Sequence, residues 1–201
     1  MEALSDINAH LAGRLRGLRA EHGLTLDSLA ERTGVSRSMI SLIERGESSP
    51  TAVILDRLAA GLGVTLASLF AARESPEASP LARRAEQRTW RDPESGYMRR
   101  NLSAPGFPSP IELVEVILPP GARVSYDTGP RSVGVSQQVW MVEGEIEPTV
   151  ADESYRLEAG DCLSMHIGQP ISFRNHADHP ARYVVALAAD HVPAGLGGAQ
   201  R

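Results

Sequence analysis

LTLDSLAERTGVSRSMISLIERGESSPT, from Leu24 to Thr51, has the pattern of two short helices joined by a tight turn. Thr25 stands where the first helix would begin, and its hydroxyl can accept a hydrogen bond from a backbone N–H of the first turn. A Gly-Val turn follows, and Ser36 offers the same kind of cap to the second helix. Ile40 and Ile43 recur at helical spacing, which places both on the buried face of that helix. The stretch therefore predicts a helix, a turn and a second helix.

Helical spacing extends in both directions from this unit. On its N-terminal side, apolar residues recur every three or four positions up to a His-Gly stop: Ile7, Leu11, Leu15 and Leu18. On its C-terminal side, TAVILDRLAAGLG and TLASLFAA have the pattern of two more short helices. Residues 1–72 are therefore predicted to form a five-helix domain, and the polar, proline-containing residues 73–81 to form a linker.

The periodicity changes after the linker. Short β-rich segments, among them IELVEVIL, QVWMVEG and PISFRN, are separated by turn residues at intervals of about ten positions, which is typical of a sandwich or barrel. Residues 82–192 are thus predicted to form an all-β domain, and residues 193–201 a disordered tail. Residues 82–100 hold six Arg without a clear period, and we expect them to pack along the barrel edge or to cross to a partner subunit. The predicted fold class is multidomain, α followed by all-β.

Composition and charge restrict the class of protein. The 201 residues suffice for two small domains, and 42% hydrophobic with 22% charged residues is ordinary for a soluble globular protein. No apolar run reaches the roughly 20 residues that a membrane span needs, the first residues are too polar for a signal peptide, and the single cysteine excludes an intrachain disulfide. We therefore expect a cytoplasmic protein that does not enter membranes. The net charge of −5 does not by itself indicate nucleic-acid binding.

The second helix of the opening stretch has the surface of a DNA-reading helix. A helix fits the major groove, and the residues at its N-terminal end reach the base edges. Here those residues are small or polar, and the guanidinium of Arg37 could bind a guanine or a phosphate. Thr25, at the start of the preceding helix, would face the DNA backbone. The predicted DNA-binding residues are Thr25, Ser36, Arg37, Ser38, Ser41, Leu42 and Arg45.

The pattern VSRSMISLIERGESSPT resembles the most recognisable region of the XRE-type helix-turn-helix of phage repressors and many bacterial regulators. The resemblance extends over about residues 7–71. It implies that the reading helix starts just after the turn, that Glu44 forms a structural pair with Arg19, and that two copies bind a two-fold DNA site. One departure is Thr25-Leu26, where the family often has Thr-Gln, so a polar contact to DNA is lost. A helical bundle without DNA binding and a protein-interaction domain are the alternatives.

The C-terminal half resembles a cupin, a small double-sheet β-barrel, in the PPG at 119–121, the hairpin VWMVEGEIE and the segment 160–175. Cupins commonly hold a metal through three His and one Glu. Here Gln137 stands at the Glu position, Ile171 stands at the last His position, and no register of the first motif contains a His. Asp127 is a possible substitute, and the register around it stays open. The resemblance therefore implies a barrel without the usual metal.

Without that metal, the barrel is expected to hold a small organic molecule. Strand alternation turns Gln137, Val139 and Met141 to the barrel interior and places Trp140 on the opposite face, in a sheet or subunit contact. An apolar floor with a few polar groups is the usual composition of a small-molecule site, and the amide of Gln137 offers both a donor and an acceptor. The predicted effector-binding residues are Tyr126, Asp127, Arg131, Gln137, Met141, His166, Ile171 and Phe173.

The order of the two resemblances is that of bacterial transcription regulators that read DNA with one domain and sense a metabolite with the other. We expect a homodimeric repressor whose partners are operator DNA and a small-molecule effector, with no cofactor and no catalytic residue. The first alternative is a cupin enzyme with an appended DNA-binding domain, which would need a general base such as His166 or His176. The second is an antitoxin-like protein that binds another protein, although such proteins are usually shorter and lack a barrel.

Overall fold

The computed structural model describes residues 2–72, 75–126 and 135–189. The N-terminal part consists of five α-helices: α1 (Glu2–Glu21), α2 (Leu26–Thr33), α3 (Arg37–Glu44), α4 (Ala52–Gly61) and α5 (Leu66–Phe70). The prediction of five helices is confirmed. Leu29, Ile40 and Leu58 are completely buried, because each stands on the apolar stripe of its helix. No helix in the described part of the chain is both long and apolar enough to cross a membrane.

Short-range signals determine where the two central helices begin and end. Thr25 Oγ1 accepts a hydrogen bond from the N–H of Ser28 at 3.0 Å, and Ser36 Oγ accepts one from the N–H of Met39 at 3.2 Å. Gly34 ends α2 in the left-handed conformation with φ +66°, which residues with a Cβ rarely adopt. Both helices therefore start at the caps expected from the sequence, and the turn between them needs its glycine.

The C-terminal part is built from short strands. In chain order they are β1 (Thr89–Arg91), β2 (Met98–Asn101), β3 (Ile111–Leu118), β4 (Arg123–Tyr126), β5 (Val135–Glu143), β6 (Glu145–Val150), β7 (Glu153–Ser154), β8 (Leu157–Glu158), β9 (Cys162–Ile167), β10 (Ile171–Arg174) and β11 (Ala181–Ala189). One sheet has the order β1-β2-β3-β11-β5-β9, and the other has the order β4-β10-β6-β7 with β8 paired to β6. The all-β prediction for this half is confirmed, and the predicted disordered tail lies outside the described residues.

Alternation along the strands separates a buried face from an exposed one. In β5, Val139 and Met141 are completely buried and Gln137 is 9% exposed, whereas Trp140 between them is 52% exposed. Phe173 of β10 is buried as well and stacks on a ring of β11 with centroids 5.9 Å apart. The two sheets therefore enclose one core, and Trp140 lies on the outside as the alternation predicts.

Residues 82–100 pack along the barrel edge, which is the first of the two arrangements expected for them. Strands β1 and β2 extend the six-stranded sheet beyond β3, and they also touch the helical domain. The ring of Trp90 in β1 lies 5.6 Å from that of Phe70 in α5 and 5.8 Å from that of Tyr97. Trp90 is only 2% exposed, so the helical domain and the barrel share part of their apolar core.

Candidate DNA-reading surface and barrel cavity

Helix α3 presents a small, polar surface to solvent. Ser36, Arg37 and Ser38 at its N-terminal end are exposed, and Ser41 and Leu42 on the next turn are half-buried. The hydroxyl of Ser36 caps the helix and lies 3.2 Å from Ser38 Oγ. The apolar stripe on the opposite side of α3 is buried. The predicted reading residues therefore share one accessible face that could approach a DNA groove closely.

Both arginines of this surface are paired with a carboxylate. Arg37 Nε lies 3.1 Å from Asp27 Oδ1, and both side chains are largely exposed. Arg45 donates from Nε and Nη2 to the two carboxylate oxygens of Glu47, at 2.9 and 2.7 Å, and its hydrogen bonds lower the pKa of Glu47. Exposed ion pairs are weak, so a DNA phosphate can take the place of either carboxylate.

A buried ion pair connects α3 to α1. Arg19 of α1 donates from Nε and Nη2 to Oε1 and Oε2 of Glu44, at 2.6 and 2.8 Å, and from Nη1 to the carbonyl of Leu24 at 2.8 Å. Glu44 is only 6% exposed. This is the structural pair that the sequence resemblance implied, and it ties α1, the start of α2 and the end of α3 together.

A cavity of about 60 Å³ lies where the barrel meets the helical domain. The barrel supplies most of its wall, including Tyr126, Gln137, Ile171, Phe173 and Tyr183. The helical domain supplies the rest through α4, α5 and the residue before α5: Asp56, Thr65, Leu66 and Ala67. A molecule in this cavity would therefore touch both domains at once.

The polar groups of the wall include a guanidinium and three phenols. Arg99 of β2 is 6% exposed, and its guanidinium carbon lies 5.1 Å from the centroid of the Phe70 ring. Its Nε and Nη2 have no hydrogen-bond partner among the described residues. Tyr126 Oη donates to Tyr97 Oη at 3.3 Å. Burial raises the pKa of Tyr126 and of Tyr183, so both phenols are neutral and able to donate.

Two family models match the chain, one described as helix-turn-helix at residues 15–69 and one as cupin domain at residues 114–187. The HTH-type transcriptional regulator SutR of Escherichia coli (strain K12) is 28% identical over 181 residues, which are 90% of this chain and 95% of SutR. Control protein C.MunI of Mycoplasma sp is 35% identical over 68 residues, which are 33% of this chain and 92% of C.MunI. The chain belongs to the helix-turn-helix family of transcriptional regulators.

A solved structure matches both domains of this helix-turn-helix regulator. The HTH_3 family transcriptional regulator from Vibrio cholerae has a TM-score of 0.70 and 26% sequence identity, covering 92% of this chain and 97% of that one. The regulator thus combines a DNA-binding helix-turn-helix domain with a cupin domain, and the predictions of family, fold class and DNA-binding function are confirmed. The seven individual DNA-binding residues stay a prediction.

The cavity of the regulator contains half of the predicted effector-binding residues: Tyr126, Gln137, Ile171 and Phe173. Two others do not line this cavity. Met141 is completely buried in the core away from the cavity wall. His166 is exposed, with Nδ1 3.3 Å from Ser136 Oγ, because its neighbours on β9 turn inward instead. Asp127 and Arg131 lie outside the described residues.

Several cavity residues are absent from the sequence-based set. From the barrel side these include Tyr97, Arg99 and Tyr183, and the contribution of α4 and α5 was not foreseen at all. The six Arg in residues 82–100 are the sequence feature that could have indicated a basic residue in the cavity. Arg99 and Arg100 are adjacent and point to opposite faces of a four-residue strand, so the pattern alone could not tell which one faces inward.

The donor set of the described residues does not fit the usual cupin metal. Gln137, at the Glu position, is neutral, and its amide nitrogen points to Met165 Sδ at 3.8 Å. Ile171, at a His position, is buried and has no donor atom. His176 and His179 lie on an exposed turn, beside Glu147 and Asp178 respectively. Among the described residues, no three His, Cys, Asp or Glu side chains are grouped so that they could bind a metal.

Proposed function

We propose that the regulator is a homodimeric repressor whose affinity for its operator changes when a small organic molecule occupies the barrel cavity. The observation that carries this proposal is the shared wall, to which the helical domain contributes Thr65, Leu66 and Ala67. A ligand can shift an equilibrium only by contacting the two states differently. A ligand that touches both domains meets this condition whenever their relative position changes.

Helix α5 is connected to the rest of the DNA-binding domain by polar contacts. His10 Nε2 lies 3.1 Å from the carbonyl oxygen of Phe70, and Arg14 Nε donates to the carbonyl of Ser68 at 3.2 Å. Both side chains belong to α1, which also holds α3 through its pair with Glu44. A displacement of α5 at the cavity would therefore move α1, and through α1 the proposed reading helix α3. This chain of contacts is the proposed route by which ligand binding changes DNA affinity.

An apolar patch on the outside of the six-stranded sheet supports the dimer. Trp140, Ile111 and Leu113 are 52%, 51% and 39% exposed. Val184 of β11 is directly opposite Trp140, and Ala186 is directly opposite Leu113. Directly opposite residues of antiparallel strands lie on the same face of the sheet, so Val184 and Ala186 belong to the same patch. A single helix-turn-helix domain with few arginines makes few phosphate contacts, so two copies on a two-fold site suit specific binding.

The proposed limits are residues 1–72 for the DNA-binding domain and 82–192 for the effector domain, joined by residues 73–81. We also propose that the regulator acts in the cytoplasm, where its DNA target would lie. One observation favours the alternative of a cupin enzyme: Asp56 lines the cavity, and a carboxylate can act as a general base. Turnover of a bound metabolite by the purified protein would favour that alternative.

The reading surface is tested on duplexes that the full-length protein selects from a random-sequence pool. The double variant Arg37→Ala and Ser38→Ala should lose at least tenfold in affinity for the selected duplex, since both the guanidinium contact and the groove-facing hydroxyl are removed. Arg156→Ala, which removes an exposed arginine of the barrel, is the control and should bind as the parent does. Unchanged binding by the double variant would show that α3 is not the reading helix.

Native mass spectrometry of the purified protein tests the effector role. A dimer that retains a defined organic mass supports the proposal and identifies the effector. That molecule must then change the affinity for the selected duplex. A monomer at micromolar concentration, or a dimer that retains a stoichiometric metal ion and turns over a metabolite, would contradict the proposal.

A further inference from the structure

We propose that the cavity recognises a small monocarboxylate, which the guanidinium of Arg99 holds through its Nε and Nη2 edge. This inference rests on the proposed role of the cavity as the effector site and adds the chemical class of the effector. Arginine keeps its positive charge at any physiological pH, so burying it cannot be relieved by loss of a proton. A buried charge is costly unless it is paired and hydrogen-bonded, and within the described part of the chain Nε and Nη2 of Arg99 are buried without an acceptor.

The same molecule shows what this edge of a guanidinium binds. Arg19 uses Nε and Nη2 for the two oxygens of Glu44, and Arg45 uses the same two atoms for the two oxygens of Glu47. Two parallel N–H donors match the spacing of the two oxygens of a carboxylate. Arg99 lines the cavity, and the same pair of donors on its guanidinium is buried without an acceptor among the described residues, so a carboxylate that enters the cavity would complete the arrangement.

Neutral groups on the same wall can hold the rest of the anion. Burial raises the pKa of Tyr183, so its hydroxyl adds a donor without adding negative charge, whereas the hydroxyl of Tyr126 already donates to Tyr97. The amide nitrogen of Gln137 has only a sulfur, Met165 Sδ, as its partner at 3.8 Å, and sulfur is a weak acceptor. Ligand oxygens would therefore find several donors on the wall besides Arg99.

Size and charge restrict the carboxylate further. The cavity of about 60 Å³ is only a few times the roughly 10–15 Å³ that one water molecule needs by the same measure, which suits an anion of the size of acetate, propionate or lactate. Asp56 lines the same cavity, so a second carboxylate on the ligand would meet a like charge. The cavity therefore favours monocarboxylates over dicarboxylates, and a longer ligand would have to displace the wall formed by α5.

Ligand binding also has a direct route to the DNA-binding domain. The guanidinium of Arg99 lies over the ring of Phe70, the last residue of α5, and Ala67 of α5 lines the cavity. Neutralising the charge of Arg99 weakens its attraction to the ring, because that attraction is electrostatic. Occupancy would thus change the contact between the barrel and α5 at two points.

Isothermal titration of the full-length protein with sodium acetate, propionate and lactate tests this inference, at constant ionic strength adjusted with sodium chloride. The matched ligands are acetamide, propionamide and lactamide, which have the same shape without the charge, and malonate as a dicarboxylate. At least one monocarboxylate should bind at least tenfold more tightly than its amide and than malonate. Equal binding of acid and amide, or no heat from any of the three acids, would overturn the proposal without the need for any variant.

Arg99→Lys keeps the positive charge and removes the two-donor edge. Gln87→Leu changes a half-buried residue that does not line this cavity and serves as the control. Arg99→Lys should weaken binding of the best monocarboxylate at least tenfold, and Gln87→Leu should leave it unchanged. Equal loss in both variants would overturn the role of Arg99.

Affinity for the selected duplex separates this inference from the proposed function. If the carboxylate binds but the duplex affinity is constant, the effector role fails and the site stands. If a molecule other than a monocarboxylate is the only one that changes the duplex affinity, the assignment of the cavity to monocarboxylates is wrong.

Discussion

Asp92 of the barrel domain accepts a hydrogen bond from the backbone N–H of Ala52, the first residue of α4, at 2.9 Å. The second oxygen of Asp92 accepts a hydrogen bond from the N–H of Ser95 at 2.8 Å, and the carboxylate is only 3% exposed. A carboxylate near a helix N-terminus satisfies free N–H groups and complements the helix dipole. The barrel therefore caps a helix of the DNA-binding domain, which joins the two domains by a directional contact.

Removing this contact should destabilise the protein. Asp92→Ala leaves the buried N–H of Ala52 and the half-buried N–H of Ser95 unpaired, and a loss of about 2 kcal/mol in the free energy of unfolding is expected. Urea unfolding followed by circular dichroism measures it. Asp152→Ala, at an exposed turn, is the control and should leave the midpoint unchanged. A midpoint for Asp92→Ala equal to that of the control would show that the contact contributes nothing to stability.

Two Arg–Glu pairs with the same geometry should behave differently because only one is buried. Glu44→Gln leaves the charge of Arg19 without its partner inside the helical domain, and we expect a loss of about 3 kcal/mol. Glu47→Gln breaks the same two-bond arrangement with Arg45 at the surface, and the melting temperature should not change measurably. Thermal unfolding of both variants under one set of conditions measures the two effects. Equal melting temperatures would contradict the claim that the buried pair stabilises the protein more than the exposed pair.

The carboxylates on the reading surface should limit binding to DNA that lacks the operator. Asp27→Asn frees Arg37 for a phosphate and removes a negative charge, so affinity for a random duplex should rise severalfold, with a steeper dependence on salt. Glu158→Gln makes the same change of charge beside Arg156 on the barrel and serves as the control. Fluorescence anisotropy between low and moderate salt measures both. An equal rise in duplex affinity in the two variants would show that only the change in net charge matters, and that the position of Asp27 beside Arg37 does not.

Stability should decrease in mild acid because of one histidine between the domains. Arg88 Nη1 lies 3.0 Å from His10 Nδ1, which leaves the other ring nitrogen to donate to the carbonyl of Phe70. Burial first, and then the charge of Arg88, lowers the pKa of His10. The folded state thus binds this proton more weakly than the unfolded chain. Stability from His10 is present in full above the unfolded pKa of about 6.5 and is lost as the pH falls below it.

His10→Gln should therefore flatten the dependence of the free energy of unfolding on pH between about pH 7.5 and pH 5. His179→Gln, at an exposed turn, should keep the slope of the parent protein. Unfolding in urea at several pH values gives the slopes. The assignment to His10 would be abandoned if its variant kept the parent slope and the control lost it.

The proposed dimer should depend on the outer face of the barrel. Trp140→Ser removes the largest exposed apolar side chain of the patch and should convert the dimer to a monomer in sedimentation velocity at micromolar concentration. Leu81→Ser changes a side chain of similar exposure, 51%, that precedes the first strand of the sheet. That control should remain dimeric. If both variants stay dimeric, the subunits pair through another surface.

Local signals made the helical half predictable, and long-range contacts limited what the sequence could tell about the cavity. Thr25 and Ser36 cap their helices through bonds within a few residues, so their roles can be recognised without knowing the fold. Gln137 and Phe173 face inward by simple alternation along their strands. Arg99 lies on a strand of only four residues, and its inward direction follows from the pairing of Arg99 with Val116. The contribution of Ala67 arises only when the two domains pack together.

The affinity of the full-length protein for its selected duplex, measured with and without the molecule that fills the cavity, tests the central claim most directly. That molecule is the one retained at purification or, if none is retained, the monocarboxylate that binds most tightly. We predict a change of at least fivefold in duplex affinity and, by linkage, the same factor in the affinity for the small molecule when the duplex is bound. Saturation of the cavity with no change in either affinity would contradict the account.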